Sequence, residues 1–389
     1  MRTTNPEQNM NKVKAGDIQS TAVTVTWTPG IQADAIVCTP SAANSSAKTV
    51  TYTLTATDIS SGSATVTGLE PETSYRATLK LGEKTRGYST FTTNLDLRDA
   101  IQLTPTDDWV TAIQDAAAGS KFALAAGEYT LTSAKLQINN NVTIAAQNSG
   151  NLPVINTCIH INNGSSLYLY QVVMDGTGTD GSQAIEYKTA GGFGDLIISG
   201  SEIRNYVKGL IYINVAAVAN TIKIENSIIH DIECSGGDFI DSRSGGWNNL
   251  IISSSTFYSC SAKRDILRAD DASSKVSASM ITSIDKCTFY NVGNGNANYR
   301  FFYLRFPGNT NTFTNNVVAN FDNTRGFANS TSVGVPSYSN NYYYNCKNLT
   351  SQAEGNTQPN LTCFDTEGNI LDKLSLIHIS EPTRLGMIS

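Results

Sequence analysis

The sequence predicts an all-β protein in which an N-terminal antiparallel β-sandwich is followed, after one short helix, by a parallel β-solenoid. Three observations carry this. Residues 12–94 alternate apolar and polar with the period of a strand. From Ile138 onward one apolar phrase returns about every 28 residues, the range of a solenoid repeat. The composition, 15% charged and 8% aromatic with 30 glycines and an excess of Asn, Ser and Thr, is that of extracellular β-structure rather than of a helical cytosolic enzyme.

In the sandwich, strands are expected at Thr21–Trp27 (TAVTVTW), Thr51–Ala56 (TYTLTA), Ser74–Leu81 (SYRATLKL) and Tyr88–Thr93 (YSTFTT), with Trp27 filling the core. The stretch GLEPETSY, Gly68–Tyr75, resembles the L-x-P-x-T-x-Y signature of fibronectin type III modules. The resemblance implies that the Tyr75 hydroxyl closes a corner by bonding back to the chain, and that the segment is a spacer or docking unit. Function is therefore sought downstream.

At 107–118, Asp107 or Asp108 is placed to N-cap a helix whose Trp109, Ile113 and Ala117 share a face, with Gly119 as its stop. A strand and a Gly-Glu-Tyr turn follow. This order resembles the entry of right-handed parallel β-helices of the pectin-lyase type, where a helix covers an otherwise bare sheet end.

The recurring phrase appears as LYLYQVVMDG, LIISGSEIRNY, IKIENSIIHDI, LIISSSTFYSC, SIDKCTFYNV, FTNNVVANF and YSNNYYYNC. Aligning Val173, Ile203, Ile229, Phe257, Phe289, Val318 and Tyr343 gives separations of 30, 26, 28, 32, 29 and 25 residues. Each unit reads as two strand-like pieces and a turn. Asn226, Ser255, Asn316 and Asn341, ahead of the apolar pairs, are expected to form an internal hydrogen-bonded ladder.

After each phrase comes a further strand: KGLIYIN, GDFIDSR, RDILRAD and RFFYLRF. With Ile211, Ile240, Leu267 and Phe302 inward, alternation sends Tyr212, Asp241, Arg268 and Tyr303 outward in one row. Asn214, Arg243, Asp270 and Arg305 lie beside it. Asp241 is then expected opposite Arg268, and Arg243 opposite Asp270. Two readings of this patch stay open: cross-strand ion pairs over a solvated sheet, or a surface of guanidinium groups and aromatic rings that holds sugars and carboxylates.

The pair ECSGGDFIDSRS and KRDILRADD resembles the catalytic stretch of β-helical lyases of the chondroitinase B and alginate lyase type. The resemblance places Arg268 where that family has its arginine and Arg243 where its lysine base is expected, with Lys263 nearby as a substitute base. It implies calcium as a cofactor, with Asp238 near an acidic ligand position. Such lyases neutralise a uronate carboxylate and remove the adjacent proton with a base whose neutral form is accessible, a demand that arginine meets poorly.

The net charge of −6 argues against a nucleic-acid partner, and no run of about 18 apolar residues is present to span a membrane. The seven cysteines are scattered without a CxxC pair and are expected as buried thiols rather than as a zinc site or disulfide framework. His160 is read as an outward strand residue and His230 as a turn residue packed beside the sheet. A glycosidase carboxylate pair drawn from Asp238, Asp241, Asp265 and Asp270 is a further option.

The chain thus divides into a leader at 1–11 whose natural start and export signal are expected to be missing, a fibronectin type III-like domain at 12–94, and a β-helix at 95–372. The tail at 373–389, with LSLIHISEPTRLGMIS, reads as a non-native adapter translation. The chain as a whole resembles secreted or surface proteins of gut-bacterial polysaccharide-utilisation systems, extracellular or anchored at the outer membrane through the missing N-terminus. The expected partner is a uronate-containing polysaccharide, recognised and cleaved by β-elimination, or recognised only, by a non-catalytic surface glycan-binding protein. Arg268, Arg243 and Lys263 are the candidate catalytic residues, and Tyr212, Asp241, Asp270, Tyr303 and Arg305 the candidate substrate contacts.

Overall fold

In a computed structural model, residues 7–42, 46–328, 334–350 and 364–372 are described. Of the expected leader only residues 7–11 are included, whereas residues 1–6, Cys363 and the tail at 373–389 with His378 lie outside the described residues. The chain divides into two compact units, the first running to Ala100 and including Asn148–Asn151, the second taking the rest from Ile101 onward.

In the first unit, alternation builds two antiparallel sheets. Ala22–Thr26 pairs with Ser63–Thr67, and Val50–Thr53, Ala35–Pro40, Ser74–Leu81 and Lys84–Thr92 form a four-stranded sheet in that order. Val23, Val25, Trp27, Ile36, Cys38, Tyr75 and Leu79 are buried in one core. The Tyr75 hydroxyl accepts a hydrogen bond from the Glu70 amide at 3.1 Å. One expected strand is cut short, because Thr55 and Asp58 form a reciprocal capping box that opens a helix at Ala56–Ser61.

The second unit is a parallel β-solenoid of about 8 turns spanning residues 128–370. Its coils carry three strands rather than two, since each recurring phrase contains two strands split by a sharp corner. Face A includes Leu167–Tyr170, Leu196–Ser199, Ala217–Glu225 and Gly246–Ser253. Face B includes Val173–Asp175, Glu202–Arg204, Ile228–Ile232 and Thr256–Cys260. Face C includes Ile185–Tyr187, Ile211–Ile213, Ile240–Ser242, Leu267–Ala269 and Phe302–Leu304. The longer strand Val154–Ile161 runs through B and C, pairing with Val173–Asp175 by its first part and with Ile185–Tyr187 by its second.

Register fixes which residues stack. On face B, Tyr129, Ile155, Met174, Ile203, Ile229, Phe257, Phe289, Val318 and Tyr343 follow one another inward. Met174 takes the place expected for Val173, which pairs instead with Glu202. On face A the corresponding row is Phe122, Ile144, Leu169, Ile198, Ile224, Ile252, Ile284 and Phe313. All of these side chains are buried. At the entry, a helix at Trp109–Gln114, capped by Asp108, lays Trp109 edge-on against Tyr129 at 5.7 Å. The helix is shorter than 107–118, and Ala116 rather than Ala117 is buried with Trp109 and Ile113.

The corner between faces A and B is two residues in every coil, from 171–172 to 340–341. Its first residue is left-handed, as at Asn226 (φ 48°), Ser254 (φ 47°), Asn315 (φ 57°) and Asn340 (φ 54°). Its second residue points inward and builds the ladder. The Val172 amide donates to Ser201 Oγ, Ser201 to Ser227 and Ser227 to Ser255, at 3.1–3.2 Å. Cys287, whose thiol is hydrogen-bonded to the Ser255 backbone, is the next rung. Its amide donates to Asn316 Oδ1, and the Asn316 amide to Asn341 Oδ1, both at 2.9 Å. Ser227, not Asn226, belongs to the ladder, because Asn226 takes the left-handed position. By contrast, the corners bordering face C range from 3 residues (214–216) to 11 (270–280).

The six described cysteines are free and buried. The ladder makes a direct prediction. Asn316 is fully buried, and its amide group serves the Cys287 N–H and the Ile284 carbonyl. Asn316→Leu orphans both, so chemical denaturation is expected to record a loss of about 1–3 kcal/mol per orphaned group.

Candidate functional site

Face C supplies the site. Its outward row runs Gln137, His160, Glu186, Tyr212, Asp241, Arg268 and Tyr303, each in register with the next. At about 4.8 Å per coil this row is about 30 Å long. Tyr212, Asp241, Arg268 and Tyr303 therefore share one row as expected. Arg243, Asp270 and Arg305 begin the following turns, their amides bonded to the carbonyls of Ile213, Ser242 and Ala269 on neighbouring strands.

Two of the ion pairs run along their own coil rather than across to the next. Arg243 reaches back along its own strand, Nε and Nη2 donating to Asp241, the latter at 3.0 Å. Arg268 reaches forward to Asp270, with Nε at 2.9 Å and Nη2 at 3.2 Å. Residues two apart on a strand point to the same side, so the planar fork of arginine can grip the carboxylate beside it along the chain. Coils are joined by Arg305 Nη2 to Asp270 Oδ1 at 2.6 Å and by Asp238, which accepts from Arg243 Nη2 at 2.8 Å and Arg268 Nη1 at 3.5 Å.

Depth separates the two charge types. Asp238 and Asp241 are 0% and 1% exposed, whereas the side chains of Arg243, Arg268 and Arg305 retain 28%, 18% and 34%. Guanidinium groups thus cover Asp238 and Asp241, whereas Asp270, 21% exposed, lies level with Arg268. Burial pushes the Asp238 carboxyl up to about 6, with Asp265 and Asp241 adding to the rise and Arg268 and Arg243 opposing it. Burial also works against Asp270, but hydrogen bonds from Arg268 and Arg305 hold it below the usual carboxylate range. Burial lowers Arg243 and Arg268, and their carboxylate partners outweigh it, so both stand above the ordinary arginine value.

Gly209 lets this turn pack. A Cβ there would meet the Asp238 carbonyl oxygen at 2.0 Å, so only glycine allows the Asp238 backbone to rest on the preceding coil.

The other candidates fall as follows. Lys263 is exposed in the turn before Leu267–Ala269, its stem against Gly295, and shares none of these carboxylates. Tyr303 is not a bare platform. Arg300, Arg305 and Arg268 stand over its ring at 3.5, 4.8 and 5.2 Å from the centroid. Tyr212 is half-buried between Glu186 and Asp241 in the row. Arg300 was not among the candidates, yet it binds Asp265 through Nη1 at 2.9 and 3.0 Å while donating its amide to the same carboxylate. The signal lay in RFFYLRF, whose first residue was read only as the start of a strand.

Calcium does not fit this donor set. Asp238 Oδ2 faces two guanidinium groups, and Oδ1 accepts the Asp265 amide at 3.1 Å. Among the described residues no group of three or more His, Cys, Asp and Glu side chains is placed to hold a metal ion. A calcium ion needs six or more oxygens.

Face B carries a second charged cluster that the sequence reading passed over. His230 is a strand residue, not a turn residue. Nε2 contacts Glu202 at 3.1 Å and Nδ1 contacts Asp231 at 2.6 Å, while the ring stacks on Tyr258 at 4.5 Å. Arg204 links Glu202 to Asp175 at 2.6 and 2.8 Å.

The site defines a parallel β-solenoid with an arginine–carboxylate ladder along one face. Residues 127–260 match the family described as Domain of unknown function (DUF4957), a span that contains Asp238, Asp241 and Arg243 but stops short of Arg268. No curated protein matches the chain. Among solved structures it is similar to a family 28 exopolygalacturonase of Yersinia enterocolitica, 12% identical, covering 94% of this chain and 99% of that one with a TM-score of 0.29. It is also similar to the catalytic domain of a GH87 α-1,3-glucanase in complex with nigerose, 12% identical, covering 95% of this chain and 96% of that one with a TM-score of 0.29. Likeness at that level bears on neither the activity nor the substrate of this chain.

Two predictions follow from these pairs. Arg300→Met leaves Asp265, 1% exposed, with the residue-300 amide but without its charged partner. A loss of about 3–5 kcal/mol is expected in urea unfolding, partly recovered in the Asp265→Asn/Arg300→Met double variant. For His230, burial lowers the pKa but Glu202 and Asp231 outweigh it, so the folded value lies above the unfolded one. Its contribution is full below about pH 6.5 and is lost as pH rises through the folded value. The melting-temperature gap between wild type and His230→Gln should therefore shrink with rising pH; a constant gap would contradict the arrangement.

Proposed function

We propose that face C is a recognition surface for a uronate-containing polysaccharide, and that the protein acts by binding rather than by eliminative cleavage. The observation that carries this is a row of partly exposed guanidinium groups, those of Arg243, Arg268 and Arg305, set over the buried carboxylates of Asp238 and Asp241, with Asp270 level with Arg268. Arginine forks suit planar carboxylates, and Tyr212 adds a ring on which a sugar can stack. The straight polar row gives an extended polymer a track along the coils.

Eliminative cleavage has less support. It needs a base with an accessible neutral form, whereas Arg243 and Arg268 are held in the charged form by Asp241 and Asp270. Lys263, the remaining candidate, is exposed in its turn and shares none of the carboxylates that hold the two arginines. Calcium has no part in this reading.

The first unit belongs to the proposal as a fibronectin type III-like spacer, supported by its antiparallel sheets and by the Tyr75 hydroxyl bonded to the Glu70 amide. The setting proposed is extracellular, secreted or at the outer-membrane surface. No helix of the described residues is long and apolar enough to cross a membrane.

Affinity electrophoresis tests the reading. Gels containing polygalacturonate, alginate or chondroitin should include one that retards the protein, with neutral dextran inert. Arg268→Ala should weaken that binding by about 10-fold or more, the worth of a charge-assisted hydrogen bond. No ultraviolet-absorbing unsaturated product should form. Retardation by none of the acidic gels would refute recognition, and an unsaturated product lost in Arg268→Ala would establish elimination instead.

A further inference from the structure

We propose that Asp238 is a built-in rival of the ligand, an internal carboxylate that occupies the guanidinium groups of Arg243 and Arg268 until a uronate carboxylate takes its place. This rests on the recognition role of face C and specifies how that surface is regulated.

The geometry divides the bonds of each arginine into two kinds. Along the strand, Arg243 grips Asp241 and Arg268 grips Asp270, each with Nε and Nη2 on one carboxylate. These fork-like pairs set the side-chain positions. The contacts to Asp238 are different. A single oxygen, Oδ2, receives Arg243 Nη2 at 2.8 Å and Arg268 Nη1 at 3.5 Å, so one carboxylate oxygen is shared by arginines of adjacent coils.

The longer contact lies at the limit of a hydrogen bond. Arg268 is therefore held firmly by Asp270 and loosely by Asp238. A carboxylate arriving from solvent can replace the loose contact without disturbing the firm one.

Asp238 is also fixed at the other end. Oδ1 accepts the Asp265 amide at 3.1 Å, the side chain is fully buried, and Gly209 lets its backbone rest on the preceding coil. The groups facing it are Asp241 and Arg243 from its own coil, Asp265 and Arg268 from the next, and Cys234 beside it. It cannot follow the arginines outward. Binding thus exchanges a buried carboxylate for the ligand's own, and affinity is set below what the two arginines alone would give.

The test compares wild type, Asp238→Asn and Asp285→Asn, using oligogalacturonate as probe in calorimetric titrations at fixed salt. Asp285→Asn makes the same change in net charge on face A, away from the charged row of face C. Asp238→Asn keeps the shape and an acceptor for the Asp265 amide but removes the competing charge. Its affinity should rise about 10-fold or more, against little change in Asp285→Asn. Unchanged or weakened affinity in a folded Asp238→Asn would overturn the proposal, since Asp238 would then only position the arginines.

A readout on wild type covers the case in which the variant does not fold. The carboxyl carbon resonance of Asp238 should move on saturation with the oligomer, and a stationary resonance overturns the proposal. Absence of any binding by wild type and variant alike would remove the recognition role itself, and the inference with it.

Discussion

One constraint underlies the rest: every coil must lie on its neighbour in register. Strands on parallel coils sit about 4.8 Å apart and their side chains alternate, so a slip of one residue would exchange inside for outside along a whole face. The inward rows of faces A and B show how register is held. Phe257 lies over Phe289, stacked at 4.9 Å, and the two-residue corner supplies the hydrogen-bonded rung from Ser255 to Cys287 beside them. Once that row is fixed, Asp241 has no choice but to stand beside Arg268.

The same constraint explains why a charged face can be built on an apolar cylinder at all. Burying Asp238, Asp241 and Asp265 is unfavourable unless each finds partners, and neighbouring coils bring those partners from far along the chain. Arg300 lies 35 residues from Asp265, yet both donate or accept at the same point because they occupy adjacent coils. The result is a surface that is close to neutral in sum, with Asp238, Asp241 and Asp265 buried and Arg243, Arg268, Arg305 and Asp270 partly exposed above them.

Much of this was legible in the sequence. The alternation and the repeat sufficed for the solenoid, and the period of two was enough to put Tyr212, Asp241, Arg268 and Tyr303 in one row. The failures were of two kinds. Met174 was displaced by Val173, and Ser227 by Asn226, because a corner containing a left-handed residue shifts the strand that follows and neighbouring apolar or polar residues hide the shift. The pairing within the patch was also missed. Alternation tells which side a residue is on but not how a long side chain turns, so Arg243 does stand opposite Asp270, yet its fork closes on Asp241. Arg300 and His230 went unrecognised as site-forming residues for a related reason: their partners, Asp265 and Glu202, are neighbours only after the chain has made a full coil.

The uneven corners carry a consequence for how such a protein can change. From 171–172 to 340–341 the A–B corner keeps two residues, because its second residue is a rung of the internal ladder; only the entry coils, with 125–127 and 147–153, depart from it. The corners beside face C already tolerate between 3 (214–216) and 11 residues (270–280) with the strands beyond them still aligned. New loops can therefore be grafted along both banks of the charged row, altering what it admits, while the scaffold that spaces the row stays untouched. Diversification is channelled to the one face where a partner would notice it.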